Sequence, residues 1–337
     1  MSTRKAARSN APNGHHMKVI QRLAGAVAPS AGAVVMAGGV VSVCFSATGP
    51  SWLSWSLFAV SAAVWGGLLA IFAKRRRADP GRWRREAALP SSLTLVAGTA
   101  VLGSRLAGAG RPWLAYGLLA VAVMLWLLLL PAVLAHWSTP TVGTSFLTCV
   151  ATQSLAVLAA PLARRTGQPW EVYAAAVLFL LGLVLYGVVA SRFDFRQVMV
   201  GAGDEWVLGG ALAISTLAAT TLLDASGPLG APDGARTVLR LVTICLAWEA
   251  VAAYVPLAAS ELIWPRPRFD MRRWSTVFPL GMAGLVSLRM SRVFHLEVLW
   301  DLGRAVSWLA LAVWLVVAAG TLRHVRNIAA GHDRPST

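Results

Sequence analysis

The sequence predicts an all-α integral membrane protein of ten transmembrane helices, paired as five helical hairpins. Three observations lead there. Apolar types make up 57% of the 337 residues and charged types only 13%, against about 45–50% and about 25% in ordinary soluble domains, and the mean hydropathy is +0.63. A soluble globule of this size cannot hide so much apolar surface, and a disordered chain would hold far less of it. The chain also divides into ten apolar runs, most near the ~20 residues that a helix needs to cross a bilayer. Finally, those runs alternate between two kinds, which points to a repeated hairpin.

The runs are 30–48, 51–73, 89–106, 112–135, 144–163, 170–190, 205–223, 237–259, 274–292 and 303–323. The first, third, fifth, seventh and ninth mix small residues with Ser or Thr: VMAGGVVSVC (35–44), LVAGTAVLGS (95–104), TCVATQSLAV (148–157), LGGALAISTL (208–217) and PLGMAGLVSL (279–288). Small residues let helices approach closely or leave a lumen between them. The even runs are heavier and more uniformly apolar, as in LLAVAVMLWLLLLPAVLA (118–135) and AAAVLFLLGLVLYGVVA (174–190). Each hairpin is therefore expected to hold one inner helix and one lipid-facing outer helix. Residues 1–29 read as a basic N-terminal tail, 30–325 as the membrane domain and 326–337 as a C-terminal tail. The polar, basic start gives no expectation of a cleaved signal peptide.

Thirty Lys and Arg against fourteen Asp and Glu give a net charge of +16. In a soluble chain that would suggest nucleic acid; here the basic residues lie in loops between spans, and no nucleic-acid partner is expected. With the N-terminus inside, 21 of the 30 basic residues fall on inner segments, including Lys74–Arg77, Arg82, Arg84 and Arg85, and nine fall outside or near outer span ends. Basic residues collect on cytoplasmic loops. Both termini are accordingly expected in the cytoplasm, in a multi-pass protein of a bacterial inner membrane. Trp52, Trp55, Trp113, Trp170 and Trp300 then fall at outer span ends and Trp83, Trp137, Trp206 and Trp274 near inner ones, as aromatic belts do.

Catalysis has little to stand on. No nucleophile elbow, zincin, phosphate-loop or paired-acid motif is present, and the six histidines lie outside mid-span without metal-ligand spacing. Cys44, Cys149 and Cys245 sit far apart in apolar runs and read as small core residues. No cofactor or metal is expected. Asp204 and Glu205 open the seventh span, where the helix dipole favours carboxylates. Glu249 is the one acid deep in a span; an ionisable group there is either a structural anchor or a candidate for ion coupling. Arginines end several odd spans: Arg105, Arg164 with Arg165, and Arg289 with Arg292. On the outer side they oppose the positive-inside trend. They either snorkel to headgroups or form a basic vestibule that concentrates anions. At 100° per residue, positions eleven apart share a face, which sets Thr94 under Arg105, Gln153 under Arg164 and Phe278 under Arg289. Candidate pore-lining residues are Gly38, Gly39, Thr94, Gly98, Thr152, Gln153, Gly209, Ser215 and Gly281. Phe278 directly precedes Pro279; a proline kink there would turn the ring off the regular helix face, with Gly281 and Gly284 leaving room above it.

The stretch Arg273-Trp274-Ser275-Thr276-Val277-Phe278-Pro279-Leu280-Gly281-Met282 resembles the W-x-x-x-F-P-x-G-M segment of the tellurite-resistance/dicarboxylate transporter family, which includes the plant slow anion channels. Met36–Gly39, Ala151–Ala156 and Trp206–Ser215 add to the likeness, which covers about residues 30–325. The resemblance implies five hairpins around a pseudo-fivefold axis, odd helices lining one pore per subunit, Phe278 as its plug, and a homotrimer. The leading expectation is an anion-selective channel or transporter; the alternative is a proton-coupled dicarboxylate, sulfite or tellurite-related exporter, for which Glu249 is the candidate coupling acid. A membrane enzyme or accessory subunit is the reading from another class. Partners are small anions and membrane lipid. The long cytoplasmic tails of the plant channels have no counterpart here.

Overall fold

The computed structural model describes residues 25, 27–200, 203–264 and 270–330. Most of the predicted N-terminal tail, Arg266, Arg268 and residues 331–337 lie outside them. Ten long helices carry the fold: α1 (Gly32–Thr48), α2 (Ser51–Ala78), α3 (Thr94–Gly108), α4 (Pro112–Ala135), α5 (Leu147–Thr166), α6 (Pro169–Ala190), α7 (Trp206–Ser226), α8 (Asp233–Ile263), α9 (Trp274–Phe294) and α10 (Glu297–Ala330). Among the described residues nine helices are by themselves long and apolar enough to cross a membrane. The count reaches ten when the short helix Pro80–Ala87 and the stretch Pro90–Gly108 that holds α3, bent by 85° from each other, are taken together as one span.

That short helix lies in the basic loop where only a linker was expected. Asp79 starts it by accepting from the Arg82 amide at 2.9 Å, an N-cap bond followed by Pro80 in the first helical position, where its missing N–H costs nothing. The even helices also outrun their apolar stretches. α2 continues through Lys74–Arg77 to Ala78, and α8 and α10 reach 31 and 34 residues, because polar residues that still favour helix flank the apolar run, after it in α2 and at both ends in α8 and α10.

Local sequence sets the hairpins. Gly49-Pro50 links α1 to α2, residues 109–111 link α3 to α4, Gly167-Gln168 links α5 to α6, and His295-Leu296 links α9 to α10. Links this short leave no choice but antiparallel neighbours. Gly167 takes φ +69°, a left-handed cap that costs glycine nothing. A proline stands at or just before the start of α2, α4, α6 and α8 (Pro50, Pro112, Pro169, Pro232). Four of the five odd helices are entered through a 3-10 turn: Pro29–Ala31, Pro90–Leu93, Gly143–Phe146 and Met271–Arg273.

Each odd helix packs on its even partner. The odd helices also touch one another in order, α1 on α3, α3 on α5, α5 on α7 and α7 on α9, and α9 closes back on α1. Glycines make these contacts close: Gly98 faces Val35, Gly103 faces Leu158, and Gly281 faces Val40. Without a hydrophobic drive between helices in lipid, such packing supplies the association energy. The layering is decisive. Within the most apolar stretch of α1, α5, α7 and α9, 67, 83, 94 and 56% of residues are buried, against 22% in α2, α4, α8 and α10 and 28% in α6. The all-α membrane fold with an inner set of odd helices and an outer set of even ones is the one expected.

A second repeat ties the layers together. The indole N–H of Trp65 in α2 donates to Thr99 Oγ1 in α3 at 2.8 Å, and that of Trp126 in α4 to Thr152 Oγ1 in α5 at 2.9 Å. The Tyr254 hydroxyl of α8 donates to the Pro279 carbonyl in α9 at 2.8 Å. Three of the five outer helices, α2, α4 and α8, thus clasp the next inner one. The belt expectation holds at one end only: Trp52, Trp113 and Trp170 are 69, 67 and 65% exposed at the starts of α2, α4 and α6, whereas Trp206 and Trp274 are buried in protein. Trp274 donates to Thr321 Oγ1 at 3.0 Å and so belongs to the packing between α9 and α10.

Candidate functional site

At the C-terminal ends of the odd helices the inner layer opens into a cavity of about 500 Å³. Every odd helix contributes to its wall and no even helix does: Val43 from α1, Ser104 from α3, Val157 and Pro161 from α5, Leu217 and Thr220 from α7, Leu285 and Val293 from α9. Four arginines line it, Arg164, Arg165, Arg289 and Arg292, with Asp224 as the carboxylate among the lining residues. Each sits in the last turns of its helix, so helix length alone places it at the mouth.

The charges are unevenly satisfied. Arg164 Nη1 meets Asp224 Oδ2 at 2.6 Å, with both side chains about half exposed. Arg165 donates to the Ala107 carbonyl at 2.9 Å. Arg292 lies over the Trp300 ring at 5.1 Å. Arg289, deeper and half-buried, makes no hydrogen bond or salt bridge among the described residues. A guanidinium withdrawn from bulk water with no direct ion pair is costly; Asp224 acts on Arg289 only across the cavity and is opposed by the like charge of Arg292. Four guanidiniums against one carboxylate leave a net positive chamber in a low-dielectric wall, which raises the local anion concentration.

Phe278 is 2% exposed. It lies seven residues before Leu285, which is 20° short of two full turns and about 10.5 Å deeper along α9. It therefore lies on the stripe of α9 that carries Leu285, Arg289 and Arg292, below the cavity. Its ring rests against Gly210 of α7: a Cβ there would come within 3.1 Å of the ring and 3.0 Å of Pro279 Cγ. The room expected above Phe278 at Gly281 and Gly284 is taken up otherwise, since Gly281 abuts Val40 of α1 and Gly284 abuts Ser307 and Gly303 of α10.

The other sequence candidates scatter. Arg105 is not in the cavity wall; its Nε donates to Ser54 Oγ at 2.9 Å and its guanidinium lies 4.1 Å from the Trp55 ring centre. Thr94 donates to the Ser91 carbonyl at 2.7 Å and reaches that of Pro29 at 3.2 Å. Thr152 is held by Trp126, and Gln153 Nε2 donates to the Phe179 carbonyl of α6 at 3.1 Å. The eleven-residue relation therefore joins cavity to deeper face only for Phe278 and Arg289. Gly38 faces Ser61 of α2 and Trp314 of α10, and Gly209 faces Tyr254 and Leu257 of α8. Gly39 and Gly98 lie in the contact of α1 with α3, and Gly281 in that of α9 with α1. Ser215 donates to the Ala211 carbonyl at 2.7 Å and lies 3.7 Å from Cys149 Sγ, between α5 and α7. Hydroxyl and glycine positions in one span point to several neighbours, and composition does not say which. Glu249 is exposed on the outward face of α8, away from the cavity, and Cys245, expected in the core, is exposed on that same helix. Arg165 and Arg292, named with Arg164 and Arg289 at the odd-span ends, line the same cavity; Asp224 joins it without having been assigned, and as the acid nearest the end of an odd span it was the available signal. Among the described residues no three His, Cys, Asp or Glu side chains gather in a way that would hold a metal.

An inner layer of five odd helices with a basic cavity at their C-terminal ends, inside a shell of apolar even helices, defines a multi-pass integral membrane protein. The chain belongs to the SLAC1 family, described as voltage-dependent anion channel, whose profile matches residues 26–322. It is also 30% identical over 132 residues to the uncharacterized membrane protein Rv1735c of Mycobacterium tuberculosis (strain ATCC 25618 / H37Rv) and to the uncharacterized membrane protein MT1776 of strain CDC 1551 / Oshkosh. That match takes in 36% of this chain and 63% of each relative.

Proposed function

We propose that this chain passes small anions, inorganic or mono- and dicarboxylate, along the axis of its odd helices, and that Phe278 closes the path. The observation that carries the reading is Arg289: a half-buried, unpaired guanidinium in a chamber walled by all five odd helices. Family membership agrees with it. The odd helices stand about a pseudo-fivefold axis in this reading, the chamber is the outer vestibule, and Phe278 is the floor that separates it from the other side. Selectivity comes from positive potential and width rather than from a fixed substrate site. The assembly is a homotrimer with one pore per subunit. Contact between copies would cover the outward face of α8, where Glu249 would otherwise meet lipid at a cost. Coupling through Glu249 is not part of this reading, because that side chain does not face the chamber.

Anion flux from proteoliposomes tests it. Wild-type protein should pass chloride or nitrate slowly with or without a pH gradient. Phe278→Ala should raise the flux at least several-fold while leaving the elution profile and Tm within a few degrees of wild type. A well-folded Phe278→Ala protein with unchanged or lower flux would return Phe278 to simple packing against Gly210.

A further inference from the structure

A second cavity, about 630 Å³, lies outside the inner layer at the opposite end of the helices. It opens between α2 and α4, two outer helices, and is roofed by the short helix Pro80–Ala87. Its walls are apolar: buried Phe72 from α2, and Met124 and Leu128 from α4, the last two 59 and 36% exposed. Its rim is basic, with Arg76 and Arg77 one turn beyond the apolar stretch of α2. That is the depth at which a headgroup meets a bilayer.

The charges at this rim differ in kind. Glu86, the carboxylate in the lining, is already held by Arg75 at 2.5 Å and Arg82 at 2.8 Å. Arg76 and Arg77 are exposed and have no carboxylate partner among the described residues. Arg76 is steadied over the Trp83 ring at 5.2 Å, which sets a guanidinium at the mouth without neutralising it. We infer that this cavity is a site for an anionic phospholipid, with its phosphate between Arg76 and Arg77 and an acyl chain along Phe72, Met124 and Leu128. A basic pocket between membrane helices beside an apolar groove is matched by that one kind of ligand. A soluble anion would leave the groove empty, and a zwitterionic lipid, which carries the same phosphate, would also bring its quaternary ammonium into a rim already made basic by Arg76 and Arg77. The inference does not depend on what crosses the inner layer.

Native mass spectrometry of the purified full chain, titrated with phosphatidylglycerol or phosphatidylcholine of identical acyl chains, tests it. Wild-type protein should retain phosphatidylglycerol on the order of tenfold more tightly. Arg76→Gln with Arg77→Gln should abolish that preference, while Arg84→Gln with Arg85→Gln, the same charge change on exposed residues that do not line the cavity, should keep it. Leu128→Trp, which fills the groove, should weaken phosphatidylglycerol without a change of charge. All variants should elute as wild type does, since the Arg75–Glu86–Arg82 cluster is untouched. Equal retention of the two lipids by wild type overturns the site. So does equal loss in the two arginine pairs, which would mean a diffuse surface field. Displacement of the lipid by millimolar glycerol phosphate would mean that a soluble phosphate is the ligand, and overturns the lipid assignment.

Discussion

Arg105 and Arg289 occupy comparable places near the ends of odd helices, yet their surroundings give them opposite roles. Arg105 is enclosed by Ser54 and the Trp55 face; its charge is spent inside the contact between α3 and α2, where a cation over indole is worth about 0.5–2 kcal/mol. Arg289 is unpaired and lines the chamber together with Arg164, Arg165 and Arg292. Two outcomes follow for glutamine substitutions. Arg289→Gln, and more so Arg289→Gln with Arg292→Gln, should lower anion flux most at low salt, because the screening length falls from about 30 Å at 0.01 M to about 10 Å at 0.1 M. Arg105→Gln should leave the salt dependence of flux unchanged and lower Tm instead. Flux measured at 10 and 300 mM salt beside thermal unfolding separates the two. Equal loss of flux at both salt concentrations in Arg289→Gln would remove it from the field and assign it to folding.

Between elements, the aromatic clasps do what the small residues alone do not. Trp65, Trp126, Tyr186, Tyr254 and Trp314 recur every 60–68 residues, one per even helix, and three of them donate to the next odd helix. Trp314 lies instead against Gly38 of α1. Hydrogen bonds between membrane helices are worth about 0.6 kcal/mol on average and up to about 1.7. Trp126→Phe should therefore cost roughly 1 kcal/mol of stability, and Thr152→Val a similar amount. The double variant should cost little more than either alone, since both remove the same bond. Additive losses in thermal unfolding would show that the two side chains are independent. Thr152→Val should also leave anion flux unchanged, because its hydroxyl is turned to α4 and not to the axis. The spacing of these aromatics is present in the sequence, but the composition of the even spans indicates only lipid exposure and does not show which of their side chains turn inward. What the sequence does carry without structure is the number of spans, the inner and outer sets and the arginines of the mouth. Composition acts on a whole helix face and survives an error of a residue or two. The direction of one side chain among three neighbouring helices does not, which is why Thr152, Gln153 and Gly38 were placed on the axis from sequence and face the outer layer in the structure.

For the molecule as a whole, one question decides how chamber and lipid site relate to the cell: which end is inside. The two ends are not electrically alike. Of the 22 basic residues among those described, nine lie at the end with the chamber and 13 at the end with the 74–85 segment. The nine are less free than their number suggests, because Arg105, Arg164, Arg165 and Arg292 are each held by a partner. At the other end Arg76, Arg77, Arg84 and Arg85 are exposed in a short loop close to a span end, and loops of that kind set orientation. The exposed Trp52, Trp113 and Trp170 stand at the opposite end of the helices, where interface aromatics collect. Residues 74–85 and both termini should therefore lie in the cytoplasm, with the chamber facing out. Single cysteines at Asp79 and at Pro228, in a background with Cys44, Cys149 and Cys245 replaced by Ala, should then label oppositely in intact cells: Pro228→Cys with a membrane-impermeant maleimide, Asp79→Cys only after lysis. The same pattern would assign the lipid site to the cytoplasmic leaflet, where anionic headgroups meet polybasic segments. Labelling of Asp79→Cys from outside would invert the molecule, turn the chamber to the cytoplasm and reverse the side from which Arg289 draws anions.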